Sequence, residues 1–321
     1  MTMKTLSFTN GDTMPALGLG TWKSARGEVG AAVEEAIRLG YRHIDCAAAY
    51  MNEREIGEAI AKCIAAGVVT RDELWITSKL WNDSHMPDAA AAALDKSLAK
   101  LGLDYLDLYL VHWPIALKPG VFFPEKPEDL ISLDAIPIAT TWAALEQAVD
   151  AGKVRHLGVS NFSAKKLGAL VEGARIKPEC NQVELHPYLQ QPELVSFCAD
   201  KSVAVVGYSP LGSGDRPDVL KQADEPRILD DGTLAEVAAR HDASVAQVAL
   251  AWALQRGTSV IPKSVSPKRL AENLAAAELE LSEADMQAIT ALDRKRRYIV
   301  GDFWAMEGGP YTLANIWDEG A

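Results

Sequence analysis

Four side chains of complementary chemistry, Asp45, Tyr50, Lys79 and His112, lie in the first third of the chain at suggestive intervals. Lys79 follows Asp45 by 34 residues and His112 follows Lys79 by 33. A free tyrosine titrates at about 10, too high for an efficient acid at neutral pH, and a nearby ammonium would lower that value. Lys79 could therefore tune Tyr50. A carboxylate at Asp45 would keep Lys79 charged despite burial, and His112 could orient a carbonyl oxygen beside the Tyr50 hydroxyl. Together they would make a proton donor aimed at a developing alkoxide. Taken singly, each has an ordinary structural reading: Asp45 caps a turn, Tyr50 anchors a helix start, Lys79 is solvated, His112 before Trp113 is a core imidazole. Their joint placement favours chemistry.

That placement depends on the elements that carry the four residues. Arg42-His43-Ile44-Asp45 reads as a strand running into Asp45, and Tyr50 stands just before a helix that begins near Asn52. The spacing predicts alternating strands and helices: strand 17–22 and helix 27–39, 42–46 and 52–66, 74–79 and 87–101, 105–111 and 141–151. It continues with 155–159 and 163–173, 180–184 and 191–201, 203–207 and helices 232–241 and 244–256, then 258–261 and 267–276. Eight parallel strand–helix units are best satisfied by an α/β fold closed into a (β/α)8 TIM barrel, with an open doubly wound sheet as the other solution. A hairpin is expected first, because Thr9-Asn10-Gly11-Asp12 separates strand-like 4–8 and 14–17. Long segments at 114–140 and 212–231 come after strand carboxyl ends, where active sites sit in barrels, and a tail runs from about Asp293. Asp45, Lys79 and His112 then fall at successive strand ends.

The chain has 321 residues, which one barrel domain spanning 1–321 can use in full. Its 48% hydrophobic content supplies a core. With 32 Lys and Arg against 44 Asp and Glu, the net charge of −12 disfavours nucleic acid and anionic membrane surfaces. Cys46, Cys63, Cys180 and Cys198 show no CxxC spacing and read as reduced thiols. No signal-peptide pattern or bilayer-length apolar run is present, so a cytoplasmic monomer without a bound metal is expected.

Several segments together resemble the aldo-keto reductases. They are Gly40-Tyr41-Arg42-His43-Ile44-Asp45-Cys46-Ala47, Tyr50-Met51-Asn52-Glu53 with Gly57, Ser78-Lys79-Leu80-Trp81 and Leu110-Val111-His112-Trp113-Pro114. Gly158-Val159-Ser160-Asn161-Phe162, Asn181-Gln182-Val183-Glu184 and Ile261-Pro262-Lys263-Ser264 extend the match along nearly the whole chain. The resemblance implies a barrel without a Rossmann domain that reduces aldehydes or ketones with NADPH. It assigns Tyr50 as general acid, Lys79 and Asp45 as its tuners, and His112 as the group orienting the carbonyl.

The same resemblance places the cofactor. Ser160, Asn161 and Gln182 would bond the nicotinamide carboxamide and Tyr208 would stack on its ring. Gly20, Thr21, Trp22 and Asp45 would border it. Ser209, Leu211 and Ser213 would meet the pyrophosphate, where the glycines of Gly212-Ser213-Gly214-Asp215 permit close backbone approach. Lys263, Ser264 and Arg269 would hold the 2′-phosphate at a helix start, with Glu272 and Asn273 on the adenine. Read without the resemblance, these polar residues are also compatible with loop capping.

Trp22, Trp81 and Trp113 at strand ends, with Phe122, Phe123 and an aromatic tail containing Trp304, predict an apolar substrate pocket shared with Tyr50 and His112. Glu128, Asp129 and Asp134 would disfavour anionic substrates if they faced its mouth. Gly18-Leu19-Gly20 lacks the third glycine of a dinucleotide loop, and Arg294-Lys295-Arg296-Arg297 reads as a helix-end run that pairs with carbonyls or nearby acids. A competing reading is a cofactor-binding barrel with a structural or regulatory role, and a third is net alcohol oxidation. Intact Asp45, Tyr50, Lys79 and His112 favour a reductase.

Overall fold

The computed structural model describes residues 4–222 and 225–318, so the first three residues, two of the 212–231 segment and the last three of the tail lie outside it. The chain opens with strands β1 (Thr5–Ser7) and β2 (Thr13–Pro15), paired antiparallel as expected. The turn is not a two-residue loop centred on Asn10-Gly11. Phe8 accepts the Gly11 N–H at 3.0 Å and donates its own N–H to Asp12 at 2.9 Å, and Gly11 takes φ 91. That is a type I turn ending in a left-handed glycine, the commonest three-residue hairpin loop.

The expected repeat then runs β3 (Leu19–Gly20), α1 (Val29–Leu39), β4 (His43–Asp45), α2 (Glu53–Ala65), β5 (Trp75–Leu80), α3 (Pro87–Leu101) and β6 (Leu106–Val111). A two-stranded ladder, β7 (Ala116–Leu117) with β8 (Leu130–Ile131), occupies the fourth loop. After it come α4 (Ile138–Asp150), β9 (Val154–Ser160), α5 (Ala164–Gly173), β10 (Cys180–Glu184), α6 (Pro192–Asp200) and β11 (Ala204–Tyr208). The chain ends with α7 (Gly232–Arg240), α8 (Val245–Gln255), β12 (Ser259–Val260), α9 (Pro267–Ala275), α10 (Glu283–Thr290) and α11 (Leu313–Trp317). Helix termini obey local chemistry: Pro87 occupies the first turn of α3, and Gly40 ends α1 at φ 112.

Eight strands pair in parallel in the order β12-β11-β10-β9-β6-β5-β4-β3. Closure comes from the segments bordering β3 and β12: Val260 donates to Ala16 O at 2.8 Å and Gly18 to Val260 O at 2.9 Å, with further bridges Leu17 to Val260 and Gly20 to Lys263. At Gly20 a Cβ would meet the Ile261 carbonyl at 2.5 Å, so the close approach requires glycine. The result is a (β/α)8 barrel with its helices outside and both faces of its strands buried.

The hairpin packs against the amino-terminal end of the barrel. Phe8 and Met14 join Trp75, Leu108, Leu110 and Val206 in one apolar cluster. His156 holds the hairpin in place, with Nδ1 2.7 Å from Glu179 and Nε2 2.9 Å from Asp12. Burial pulls its pKa down, but the two carboxylates outweigh burial and raise it above the ordinary value. A raised folded pKa makes this contribution complete below the unfolded value of about 6.5 and lost as pH rises through the folded one. His156→Gln is therefore expected to lower the melting temperature by a few degrees at pH 6 and by less at pH 9. A pH-independent difference between the two melting curves would remove the charged clamp.

Three elements fall outside the expected repeat. The β7–β8 ladder lies in the long 114–140 segment and α11 in the tail, both outside the strand–helix repeat. Helix α10 also has no counterpart among the expected elements, although Ser282 and Asp285 form a reciprocal capping box that announces it. The basic run comes after α10; Arg294 lies 3.6 Å from Asp231, an acid partner as expected, and over Tyr188, and Arg297 lies over the Trp317 ring at 3.6 Å. Among the described residues no helix is long and apolar enough to cross a membrane.

Candidate active site

The carboxyl ends of β4, β5 and β6 bring Asp45, Lys79 and His112 together, because parallel neighbours in a barrel end at one face. Tyr50 arrives from the turn after β4. A 3-10 turn at Ala48–Tyr50 leads to Met51 at φ 56 and then Asn52, from which α2 begins. Asn52 donates to Thr21 O at 2.9 Å, and Thr21 Oγ1 donates to Asp45 O at 2.8 Å. The turn carrying Tyr50 is thereby tied to the end of β4.

Lys79 is fully buried and its ammonium has three partners. It ion-pairs with Asp45, donates to Cys46 O at 2.9 Å and reaches the Tyr50 hydroxyl at 3.2 Å. The second Asp45 oxygen accepts from Gln182 Nε2 at 2.7 Å. Burial pulls the Lys79 pKa down, but Asp45 and Tyr50 outweigh it and hold the ammonium above its usual value. Tyr50 differs from the sequence expectation: burial pushes it up to about 12, and the opposing pull of Lys79 offsets only part of that rise. His112 meets Tyr50 edge-on at 5.8 Å. Burial first and then the Lys79 charge hold its imidazole well below the ordinary pKa, so it is neutral at pH 7.

Asp45, Tyr50 and His112 floor a cleft of about 790 Å³ at the barrel mouth, with Lys79 buried beneath them. One half is aromatic, with Trp22, Trp81, Trp113, Phe122, Phe123, Phe303 and Trp304 in its wall. Trp81 fixes the fourth loop by donating to Phe122 O at 2.9 Å, and Phe123 stacks on Trp304 with ring centres 5.1 Å apart. Loop and tail therefore meet over the pocket. Tyr311 secures them, accepting the Ala116 N–H at 2.8 Å and donating to Ile131 O at 2.5 Å. Glu128, Asp129 and Asp134 are absent from the lining, and Asp129 instead accepts the backbone N–H groups of Glu125 and Lys126.

The other half of the cleft is polar. Gly20, Thr21, Ser160, Asn161, Gln182, Tyr208, Ser209, Leu211, Ser213, Lys263, Ser264 and Arg269 all line it. Asn161 Nδ2 donates to His112 O at 3.0 Å, Ser160 Oγ to Gln182 O at 2.8 Å, and Tyr208 to Asn161 Oδ1 at 2.8 Å. Lys263, Ser264 and Arg269 gather where α9 begins. Glu272 and Asn273 are not brought into the lining; they lie further along α9, and Asn273 is buried.

Sequence reasoning missed Lys23, whose Nζ bonds Ser213 Oγ at 2.7 Å and Asp215 Oδ1 at 2.6 Å, while Lys263 approaches Asp215 at 3.4 Å. These contacts carry the loop after β11 across the polar half. Lys23 is 190 residues from Ser213 and 192 from Asp215, so no local pattern marks it. Ile299, another wall residue, gave no signal beyond its place in an apolar-rich tail.

Comparison with known proteins agrees with this architecture. The model of the Aldo/keto reductase family matches residues 16–294. An aldo/keto reductase of Synechocystis is 56% identical, covering 99% of this chain and 97% of its own length. Aldo-keto reductase family 1 member A1-A of Danio rerio is 46% identical over 92% of this chain and 91% of its own. The solved aldose reductase of Schistosoma japonicum superposes with a TM-score of 0.86 at 37% identity, covering 95% of this chain and 97% of that one. The closed barrel, the motifs at its strand ends and these matches over nearly the full length place the chain in the aldo/keto reductase family.

Proposed function

We propose that the protein reduces uncharged aldehydes, aromatic ones foremost, to alcohols with NADPH, as a single barrel domain over residues 1–321. The observation that carries this reading is the buried Lys79 ammonium bridging the Asp45 carboxylate and the Tyr50 hydroxyl at the floor of an aromatic-walled cleft. A carbonyl entering from that side meets two neutral groups able to donate hydrogen bonds, the Tyr50 hydroxyl and the His112 imidazole. Bound NADPH would supply the hydride. Tyr50 gives its proton to the oxygen as negative charge develops there. Lys79 limits the cost of leaving a phenolate behind, and Asp45, held by Gln182, keeps the ammonium in place. His112 orients the carbonyl oxygen. The largely apolar aromatic wall favours an uncharged substrate over a carboxylated one.

The donor set fits the dinucleotide. Asn161, Ser160 and Gln182 present amide and hydroxyl groups, Tyr208 offers a ring face, and Lys263 and Arg269 concentrate positive charge near the Ser264 hydroxyl at a helix start in a protein of net charge −12. Arg269→Ala is expected to raise KM for NADPH about tenfold, the size of one charge-assisted hydrogen bond, and to leave KM for NADH unchanged. Comparable catalytic efficiency of the unmutated enzyme with NADPH and NADH would remove the proposed 2′-phosphate site.

The deciding experiment monitors NADPH oxidation against a panel of aldehydes, ketones, sugars and carboxylated aldehydes. Aromatic aldehydes should give the highest kcat/KM, and no turnover of any carbonyl would overturn the assignment. Four buried free thiols suit a reducing cytoplasm. Sedimentation should give the mass of one chain, and a dimer would contradict the proposed monomer.

A further inference from the structure

Glu184 ends β10 two residues after Gln182, so both side chains leave the strand on the same face. Its carboxylate is completely buried, a costly position for a charge unless its lone pairs are met. The start of the tail meets them. The Tyr298 N–H donates to Oε1 at 2.7 Å and the Ile299 N–H to Oε2 at 2.8 Å, while His186 Nε2 lies 2.8 Å from Oε1. Burial pushes the carboxyl up, but His186, the Arg297 charge and the Tyr298 N–H outweigh it and keep the group ionised. Two acceptor oxygens matched to two successive backbone donors form a grip that a neutral amide cannot reproduce.

Immediately beyond this grip the chain builds the pocket wall. Ile299 lines the cleft, Gly301 turns the chain at φ 81 against Trp113, and Phe303 and Trp304 then face Trp81 and Phe123. The tail's later anchors sit elsewhere: Tyr311 on the loop ladder, and Asp318 on Lys166 and Ser163 of the α5 region. Among the described residues, Glu184 is the tail anchor planted in a barrel strand, beside Tyr208 in the strand register.

We propose that Glu184 is a positioning residue for substrate selection. By holding the N–H groups of residues 298 and 299 it sets the height at which Ile299, Phe303 and Trp304 cross the barrel mouth, and so the depth of the aldehyde site. This inference rests on the carbonyl-reductase reading of the cleft. Glu184→Gln keeps the shape but turns an NH2 group toward one of the two backbone donors, so the tail must shift there.

The test compares the enzyme and Glu184→Gln, each with NADPH, on propionaldehyde and on naphthaldehyde. KM for naphthaldehyde should rise about tenfold, while KM for propionaldehyde and the NADPH Kd, read by protein-fluorescence quenching, stay within about twofold. Combined with Trp304→Ala, the two effects on naphthaldehyde should be less than additive, since both act through one wall. Equal rises for both aldehydes, a parallel rise in the NADPH Kd, or full additivity would overturn the proposal. Should the variant fail to fold, hydrogen exchange on the unmutated protein decides: amides 298 and 299 should be the slowest between 293 and 318, and exchange as fast as that of 302–309 refutes the grip. A protein that reduces no aldehyde defeats the functional reading, whereas the exchange result still judges the grip independently.

Discussion

Replacing Tyr50 with phenylalanine is expected to lower kcat for aldehyde reduction by about a thousandfold, the scale of a positioned general acid. The ring stays, so its edge contact with His112 and its place beside the cleft persist. The change removes the proton and the oxygen 3.2 Å from Lys79. Lys79 keeps Asp45 and the Cys46 carbonyl, so the fold should lose little stability. NADPH affinity should be unchanged, which separates a lost proton donor from a damaged site. Because burial holds Tyr50 up at about 12, the hydroxyl is protonated across the neutral range, and its ionisation should not limit kcat below strongly alkaline pH. Single-turnover NADPH oxidation is the measurement, and a rate near that of the unmutated enzyme would refute the assigned acid.

Lys79→Met should be the more damaging change to the fold. It removes one partner of a fully buried ion pair and leaves the Asp45 carboxylate with Gln182 as its remaining side-chain partner. Breaking a buried pair in this way costs about 3–5 kcal/mol, mostly through the uncompensated charge. Urea unfolding should report a loss of that size, with kcat also collapsing because nothing stabilises charge left on Tyr50. Adding Asp45→Asn should recover part of the stability, since the orphaned charge is then gone, and none of the activity. A double variant no more stable than Lys79→Met alone would show that the loss arises from packing rather than charge.

The strand–helix repeat is legible in the sequence because buried parallel strands and amphipathic helices impose different hydrophobic periods. The residues at strand ends come with it: Asp45, Lys79 and His112 converge once the barrel exists, and Tyr50 lies one turn beyond. The β7–β8 ladder is not legible, since its strands are two residues each and gain stability from Tyr311, distant in sequence. Helix α10 can be read from Ser282 and Asp285. Proximity alone gives the wrong direction for the Tyr50 pKa, because burial, which no local motif reveals, outweighs the neighbouring ammonium.

By itself, then, the sequence determined the barrel, the family and the four groups at its mouth, all of which rest on local periodicity and contiguous motifs. Only the tertiary structure decided how the pocket is closed: Lys23 reaching Asp215, Phe123 stacking on Trp304, Glu184 gripping residues 298 and 299. Each of these contacts joins segments about a hundred residues or more apart. They arise from where loops settle on a finished barrel, and such long-range packing leaves no spacing in the chain to be read.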